Sequence, residues 1–259
     1  MKKLVSGILF IAGLWLVLSF LPTCNPKEVN PDKSFLPISW EHLMGTDDMG
    51  RDIFSLMVVG FFRSVEVLMA ALITSATIGT LLGSLSGYYG GKIRILVRVF
   101  SDVSLIVPSL IMALLVVMVV GNYPAAVGFA LGIYGIGAFA YQSENLTRKI
   151  KEEEFIKGEK LLGTPNGKIL FSHIMANNLP PLLATLGSQG GSVIIAYASL
   201  TFIGLGTDIT TPDWGSMIYQ YRFHLVDRPY MVAFPAVGIL ALALLFHYMF
   251  EDWKEGEEQ

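Results

Sequence analysis

The sequence predicts an all-α integral membrane protein: six transmembrane helices with one long polar loop on the cytoplasmic side. Three observations carry this prediction. The 259 residues are 53% hydrophobic and only 15% charged, with a mean hydropathy of +0.57, against roughly 25% charged residues in soluble domains. The apolar residues gather in six blocks, 4–21, 58–85, 99–120, 124–142, 179–203 and 230–250, each near the ~20 residues that cross ~30 Å of hydrocarbon as a helix. With the N-terminus inside, twelve Lys and Arg fall in inner segments and six in outer ones, which is the sense of the positive-inside rule and places both termini in the cytoplasm.

Taken in order, the first block follows Lys2-Lys3 and lacks a small-residue cleavage site, so it reads as a retained helix and not a signal peptide. The single cysteine, Cys24, cannot form an internal disulfide. It follows Pro22-Thr23, a poor cleavage context for a lipid-anchored terminus. Residues 1–57 form the first span and an outer segment ending in E-H-L-M-G-T-D-D-M-G-R-D. Residues 58–250 form a five-helix core that includes the inner loop 143–178, and 251–259 are an acidic cytoplasmic tail. No internal repeat is visible, which disfavours a secondary carrier built from duplicated halves.

Ionisable and polar groups near the spans divide into pairs and candidates. Asp102 lies one helical turn after Arg98 and reads as its i, i+4 partner, with a gate as the alternative. Arg63 and Glu66 read as a pair at the outer start of the second span. His247, in the last span, is a pathway candidate because an intramembrane ionisable group is costly. Gln189 and Ser192 offer a polar path in the fifth span; the preferred reading makes Gly187, Gly190, Gly191 and Ser192 a close-packing face. Trp40, Trp214, Tyr219, Tyr221 and Tyr230 fall near the outer interface, and most read as membrane anchors, with Trp214 the better candidate for a protein contact.

The inner loop carries the strongest functional signal. Phe155, Gly158 and Leu162 share one helical face at i, i+3 and i+7. Gly163 is placed to end that helix. Thr164 and Pro165 can start a second one as cap and first residue, with Ile169, Leu170, His173 and Ile174 as its apolar face. Two short helices joined by a tight turn make a knob suited to a cleft in a soluble partner. The bland alternative is an amphipathic loop lying on the membrane, for which the apolar face is small and broken. Catalytic signatures are missing: Gly163–Ile169 has three residues between its glycines, not four, and Ile169 where a P-loop needs Ser or Thr. His42, His173, His224 and His247 are scattered and predict no metal cluster. The net charge of −3 gives no reason to expect a nucleic-acid partner.

Several ordered motifs resemble one family. They are H-x-x-G-T-D-x-x-G-R-D at His42, Gly45, Thr46, Asp47, Gly50, Arg51 and Asp52; G-x-x-R-S at Gly60, Arg63 and Ser64; and G-Y-x-G-G at Gly87, Tyr88, Gly90 and Gly91. R-x-x-x-D-V follows at Arg98, Asp102 and Val103, S-L-x-F-x-G-L-G at Ser199, Leu200, Phe202, Gly204, Leu205 and Gly206, and P-x-W-G at Pro212, Trp214 and Gly215. With Gly163, His173-Ile174, Asn177 and Pro180-Pro181 in the loop, the chain resembles the binding-protein-dependent ABC importer permeases of the dipeptide, oligopeptide and nickel group, in particular their second permease subunit. It departs at Lys157-Gly158-Glu159, where the family reads E-A-A, and at Met175-Ala176, where it reads L-P.

The resemblance implies the type I ABC importer permease fold and half of a translocation path. The partners it implies are a sister permease, two ATPase subunits and an extracytoplasmic substrate-binding protein, with membrane lipid around them. ATP and Mg²⁺ would be used by the ATPases, with no cofactor on this chain. The implied ATPase-docking set is Glu154, Phe155, Lys157, Gly158, Glu159, Leu162 and Gly163. Pathway or gate candidates are Asp102, Gln189 and His247, and candidate contacts to the other permease or the binding protein are Arg51, Asp52 and Trp214. Peptides are the implied cargo, nickel or a metal chelate the alternative. A stand-alone channel or secondary transporter is the competing class, and it leaves the basic knob without a role.

Overall fold

The computed structural model describes residues 2–20, 25–26, 28–121, 123–204 and 212–250. Cys24, Leu205, Gly206 and the tail 251–259 lie outside the described residues. Within them the chain is helical, with one isolated β-bridge, Thr46 to Asp52. Helix α1 spans Lys2–Phe20, α2 Ile53–Tyr89, α3 Gly91–Ile106, α4 Ser109–Val120 and α5 Pro124–Lys151. Then come α6 Glu154–Leu161, α7 Asn166–Lys168, α8 Met175–Phe202, α9 Trp214–Tyr221 and α10 Pro229–Phe250. Four helical stretches are long and apolar enough to cross a membrane: α2, α5, the run 166–202 and α10. The bent pair α3–α4 makes a fifth, and α1 is apolar along its second half.

Three sequence expectations are corrected. The second span starts at Ile53, not 58, because the Asp52 carboxylate accepts from the Ser55 backbone N–H at 2.8 Å and caps the helix. The division at residue 57 therefore falls inside α2. The third block is not one helix: α3 and α4 are bent by 97°. Pro108 offers no N–H to continue the ladder, and Val107 before it is extended, as the residue preceding a proline prefers. The fifth span does not begin at 179. The chain stays helical from Asn166 through a π-helical stretch, Ile169–Ile174, and through Pro180 and Pro181. The second arm of the expected knob is thus the end of a membrane helix and not a separate short one.

The core is set by close helix packing. Gly79, Gly83 and Gly87 recur every fourth residue on α2 and lie against α5. A Cβ on Gly83 would stand 2.2 Å from the Ala140 carbonyl oxygen, and one on Gly87 2.7 Å from that of Glu144. Small residues let two backbones approach where lipid offers no hydrophobic driving force between helices. The Ser143 hydroxyl, 2.9 Å from that of Ser84 and 3.0 Å from the Thr80 carbonyl, adds a buried polar joint. Gly83→Ala is expected to cost about 1–3 kcal/mol by overpacking, read as a lower melting temperature in detergent; an unchanged melt would show that α2 and α5 can separate freely. On the other side, Gly187 packs on Phe250 and Gly190 on Phe246, joining α8 to α10.

At the end of the bundle away from the α5–α6 turn, the segment before α2 forms a compact cap. Asp47 is buried and accepts from Arg51 Nε and the Met49 backbone, and Arg51 Nη2 reaches both its Oδ2 at 2.7 Å and Gln220 at 2.8 Å. The buried Tyr221 hydroxyl donates to Asp47 at 3.2 Å, and burial pushes that phenol well above its usual range. His42 Nδ1 lies 3.0 Å from Asp52. These bonds tie residues 42–52 to α9.

Candidate functional site: the projecting knob and its supports

Helix α6 is eight residues long, and its end is built by backbone geometry. Gly163 has φ +79°, its N–H donates to the Lys160 carbonyl at 3.1 Å, and the Thr164 N–H donates to the Glu159 carbonyl at 3.0 Å. This pair of bonds is the Schellman motif, and it requires the left-handed conformation that glycine adopts without steric cost. Thr164 does not cap a second helix. Its hydroxyl donates to the Glu159 carboxylate at 2.6 Å, and Pro165 occupies the cap position, one residue later than expected.

One side of the knob is anchored and the other is free. Ile156, Ile169, Leu170 and Ile174 are buried around Tyr88, with Leu85 and Ile150 against them. Tyr88 lies in the last turn of α2, and its hydroxyl donates to Asn166 at 2.7 Å. Lys151 donates to the Tyr88 carbonyl at 2.6 Å, and the ammonium groups of Lys151 and Lys160 lie 5.3 and 5.8 Å from its ring centre, within cation–π range. Asn178 donates to Thr147 at 2.8 Å, fixing α8 to α5 just behind the knob. The opposite side carries Phe155, Leu161 and Leu162, the last two 89% and 82% exposed, and nothing lies within 4 Å of a Cβ placed on Gly158. Glu154 and Lys157 form an exposed pair at 2.7 Å that holds the carboxyl below and the amine above their usual values. His173 Nε2 stands 3.9 Å from Glu159, beyond hydrogen-bond range.

The remaining sequence candidates fall in different places. Asp102 is exposed and does not pair with Arg98, whose guanidinium is drawn to Glu144 at 2.9 Å instead. Glu144 is 2% exposed and also receives Arg94 at 2.8 Å and the Ser86 hydroxyl at 2.8 Å; no motif in the sequence marks it. Arg63 does not pair with Glu66, which is exposed. Its charge instead acts on Tyr197 and Asp213. Arg51 and Asp52, expected to meet a partner, are turned into the cap described above. Trp214 is 5% exposed; its indole N–H donates to the Met57 carbonyl at 3.0 Å, and it wedges against Gly60 and Gly238. Neither Trp214 nor Tyr221 is a surface anchor.

The P-x-W-G motif is thus structural. Asp213 caps α9 through the backbone N–H groups of Gly215 and Ser216, and burial raises its carboxyl above the usual value. Gly187, Gly190 and Gly191 do form a packing face, but Ser192 does not belong to it. Gln189 and Ser192 line a cavity of about 310 Å³ with Leu131 and Tyr134. His247 is exposed on α10. No group of three or more His, Cys, Asp or Glu placed to hold a metal ion occurs among the described residues.

The described residues form a bundle of apolar helices with a helical knob at one end, the architecture of a multi-pass membrane protein. Residues 79–251 match the family described as binding-protein-dependent transport system inner membrane component, and the chain belongs to that family, the permease subunits of ABC importers. It is 34% identical to a dipeptide transport system permease protein, DppC, of Alkalihalophilus pseudofirmus, over 98% of this chain and 84% of the relative. It is 36% identical to a glutathione transport system permease protein, GsiD, of Escherichia coli, over 84% and 72%. With a probable D,D-dipeptide transport system permease protein, DdpC, also of Escherichia coli, it shares 29% over 94% and 83%.

Proposed function

We propose that this chain is one of two permease subunits of an ATP-driven importer that moves peptides into the cytoplasm. The observation that carries the reading is the knob, with Phe155, Leu161 and Leu162 held outward on a buried Ile156–Tyr88 anchor. The names of the relatives, which speak of dipeptides and glutathione, support the cargo. Six spans cross the membrane with both termini inside, the bent α3–α4 pair being the third. Two ATPase subunits dock, one on this knob and one on that of a sister permease, and they alone hold ATP and Mg²⁺. An extracytoplasmic binding protein delivers the peptide.

The path is formed along the cleft between α5 and α8. Tyr134, Gln142 and Asn145 fall on one face of α5, and Gln189 and Ser192 face that cleft from α8. A polar cavity of about 630 Å³ lies at the α5 end nearest the knob. Uncharged polar groups hydrogen-bond a peptide backbone without the cost of a charge in the membrane. Closure of the ATPases on ATP draws the knobs together. Because the knob is continuous with α8 and joined to α5 by a short turn, that motion reaches the path as rigid-body displacement.

Reconstitution in proteoliposomes with the sister permease, ATPases and binding protein tests the reading. ATPase stimulation by peptide-loaded binding protein is expected; stimulation by nickel- or chelate-loaded binding protein alone would overturn the cargo. The Leu161→Asp, Leu162→Asp double variant removes apolar contact at the tip without touching the anchor. Co-purification of the ATPase subunits is expected to fall at least about tenfold, and undiminished co-purification would show that the docking surface lies elsewhere.

A further inference from the structure

We infer that Glu144 is a positioning residue that locks α3 to α5, so that the knob, α5 and the bent third span move as one body during transport; this rests on the importer reading. Glu144 sits on α5 less than three helical turns before the knob, and its side chain is buried where α2, α3 and α5 meet. Its Oε1 accepts from Arg94 Nε at 2.8 Å and Arg98 Nε at 3.0 Å, and Oε2 accepts from Ser86 at 2.8 Å. One carboxylate thus holds two arginines from successive turns of α3 and a serine from α2. Only the carboxylate is buried, the two arginines being each about a third exposed, so the arginines offset the cost of holding that one negative charge away from water.

The contacts of α5 with α2 and with α3 differ in kind. Its seam with α2 is continuous and made by glycines in backbone contact. Its seam with α3 has one such approach, Gly137 against the Ser101 carbonyl, where a Cβ would stand 2.9 Å away. Nearer the knob the α3 seam rests on the Glu144 cluster and on Arg98 lying 5.9 Å from the Tyr141 ring centre. The α3–α4 pair, bent at Val107–Pro108, meets the bundle chiefly through α5. Without Glu144 the turns of α3 nearest the knob lose their ion pairs to α5, so displacement of the knob end would carry α5 and α8 more than that part of α3, while α4 keeps its own packing on α5 and α8. A charge cluster is well suited to such a lock, since its bonds are directional and both carboxylate oxygens are engaged. It resists sliding along the helix axis, which a purely apolar contact permits.

The test uses the assembled importer with Cys24→Ser and spin labels at Leu81 on α2 and Ile95 on α3, both exposed. In the complex with native Glu144 the label distance is expected to be the same without nucleotide and with ATP and vanadate. In Glu144→Gln it is expected to differ between the two states, with peptide uptake down about tenfold at saturating binding protein and KM for the binding protein unchanged. A label distance that already changes between states with Glu144 in place, or full uptake by Glu144→Gln, would overturn the inference. Ser86→Ala, which leaves both arginines on the carboxylate, is the companion variant and is expected to keep the distance fixed; a changing distance there would count against a role for the charge. Absence of ATP-driven uptake in the complex with native Glu144 would remove the importer reading itself, an outcome separable from the label result.

Discussion

Asp47→Ala is expected to destabilise the protein by about 3–5 kcal/mol. The carboxylate is fully buried, and Arg51, 2% exposed, holds it from two nitrogens. The variant keeps that guanidinium buried without its opposite charge and leaves the Tyr221 hydroxyl, which donates to the same carboxylate, without that acceptor. It also removes the acceptor of the Met49 and Arg51 backbone N–H groups, which shape the turn before α2. Asp47→Asn, which retains an oxygen acceptor, should lose less. The measurement is the half-life of the folded protein in detergent at fixed temperature. Equal half-lives for Asp47→Ala and the unmodified protein would show that the cap contributes nothing to stability.

Gly163→Val is expected to separate ATP hydrolysis from transport. The residue is in the left-handed region at φ +79°, where a β-branched side chain costs roughly 1–3 kcal/mol. Space is not the obstacle, since nothing lies within 4 Å of the Cβ position. The chain instead escapes the strain by giving up the Schellman bonds, and α6 loses its fixed angle to α8. Asn tolerates this region better than Ala and Val, so coupling should decline in the order Gly163→Asn, Gly163→Ala, Gly163→Val. The ratio of ATP hydrolysed to peptide moved in proteoliposomes reports it. An unchanged ratio for the valine variant would mean that the turn does not transmit motion.

The arrangement shows what the outer motifs of the sequence do within the chain. The family resemblance makes Arg51, Asp52 and Trp214 candidates for contact with a partner, and Asp47 and Asp213 are their neighbours in the fold. Folded, they satisfy one another: Asp52 caps α2, Asp213 caps α9, Arg51 bridges to Gln220, and Trp214 fills the gap left by Gly60 and Gly238. An irregular segment before a membrane helix must find partners for its backbone groups, and these short-range bonds supply them. The Tyr88 motif has the corresponding duty at the other end, where it fastens the knob to α2.

Composition, periodicity and glycine chemistry act over a few residues. They are enough to settle the helical class, most of the apolar spans, the turn at Gly163 and the outward face of Phe155 and Leu162. Whatever depends on a second element coming near is settled only in the folded chain. Arg98 and Asp102 are one turn apart and would pair on an isolated helix, but a buried carboxylate on α5 attracts an arginine more strongly than an exposed one on its own helix. Glu144 is visible in the sequence as an ionisable group beside the fourth apolar block, yet its importance depends on α2 and α3 closing over it. Likewise Pro108 interrupts a span while Pro180 and Pro181 lie inside a continuous helix, a difference that single-residue propensity does not contain. The α8 prolines follow a helix already running on from the π-helical stretch, whereas Val107 is extended before Pro108 and the helix ends there.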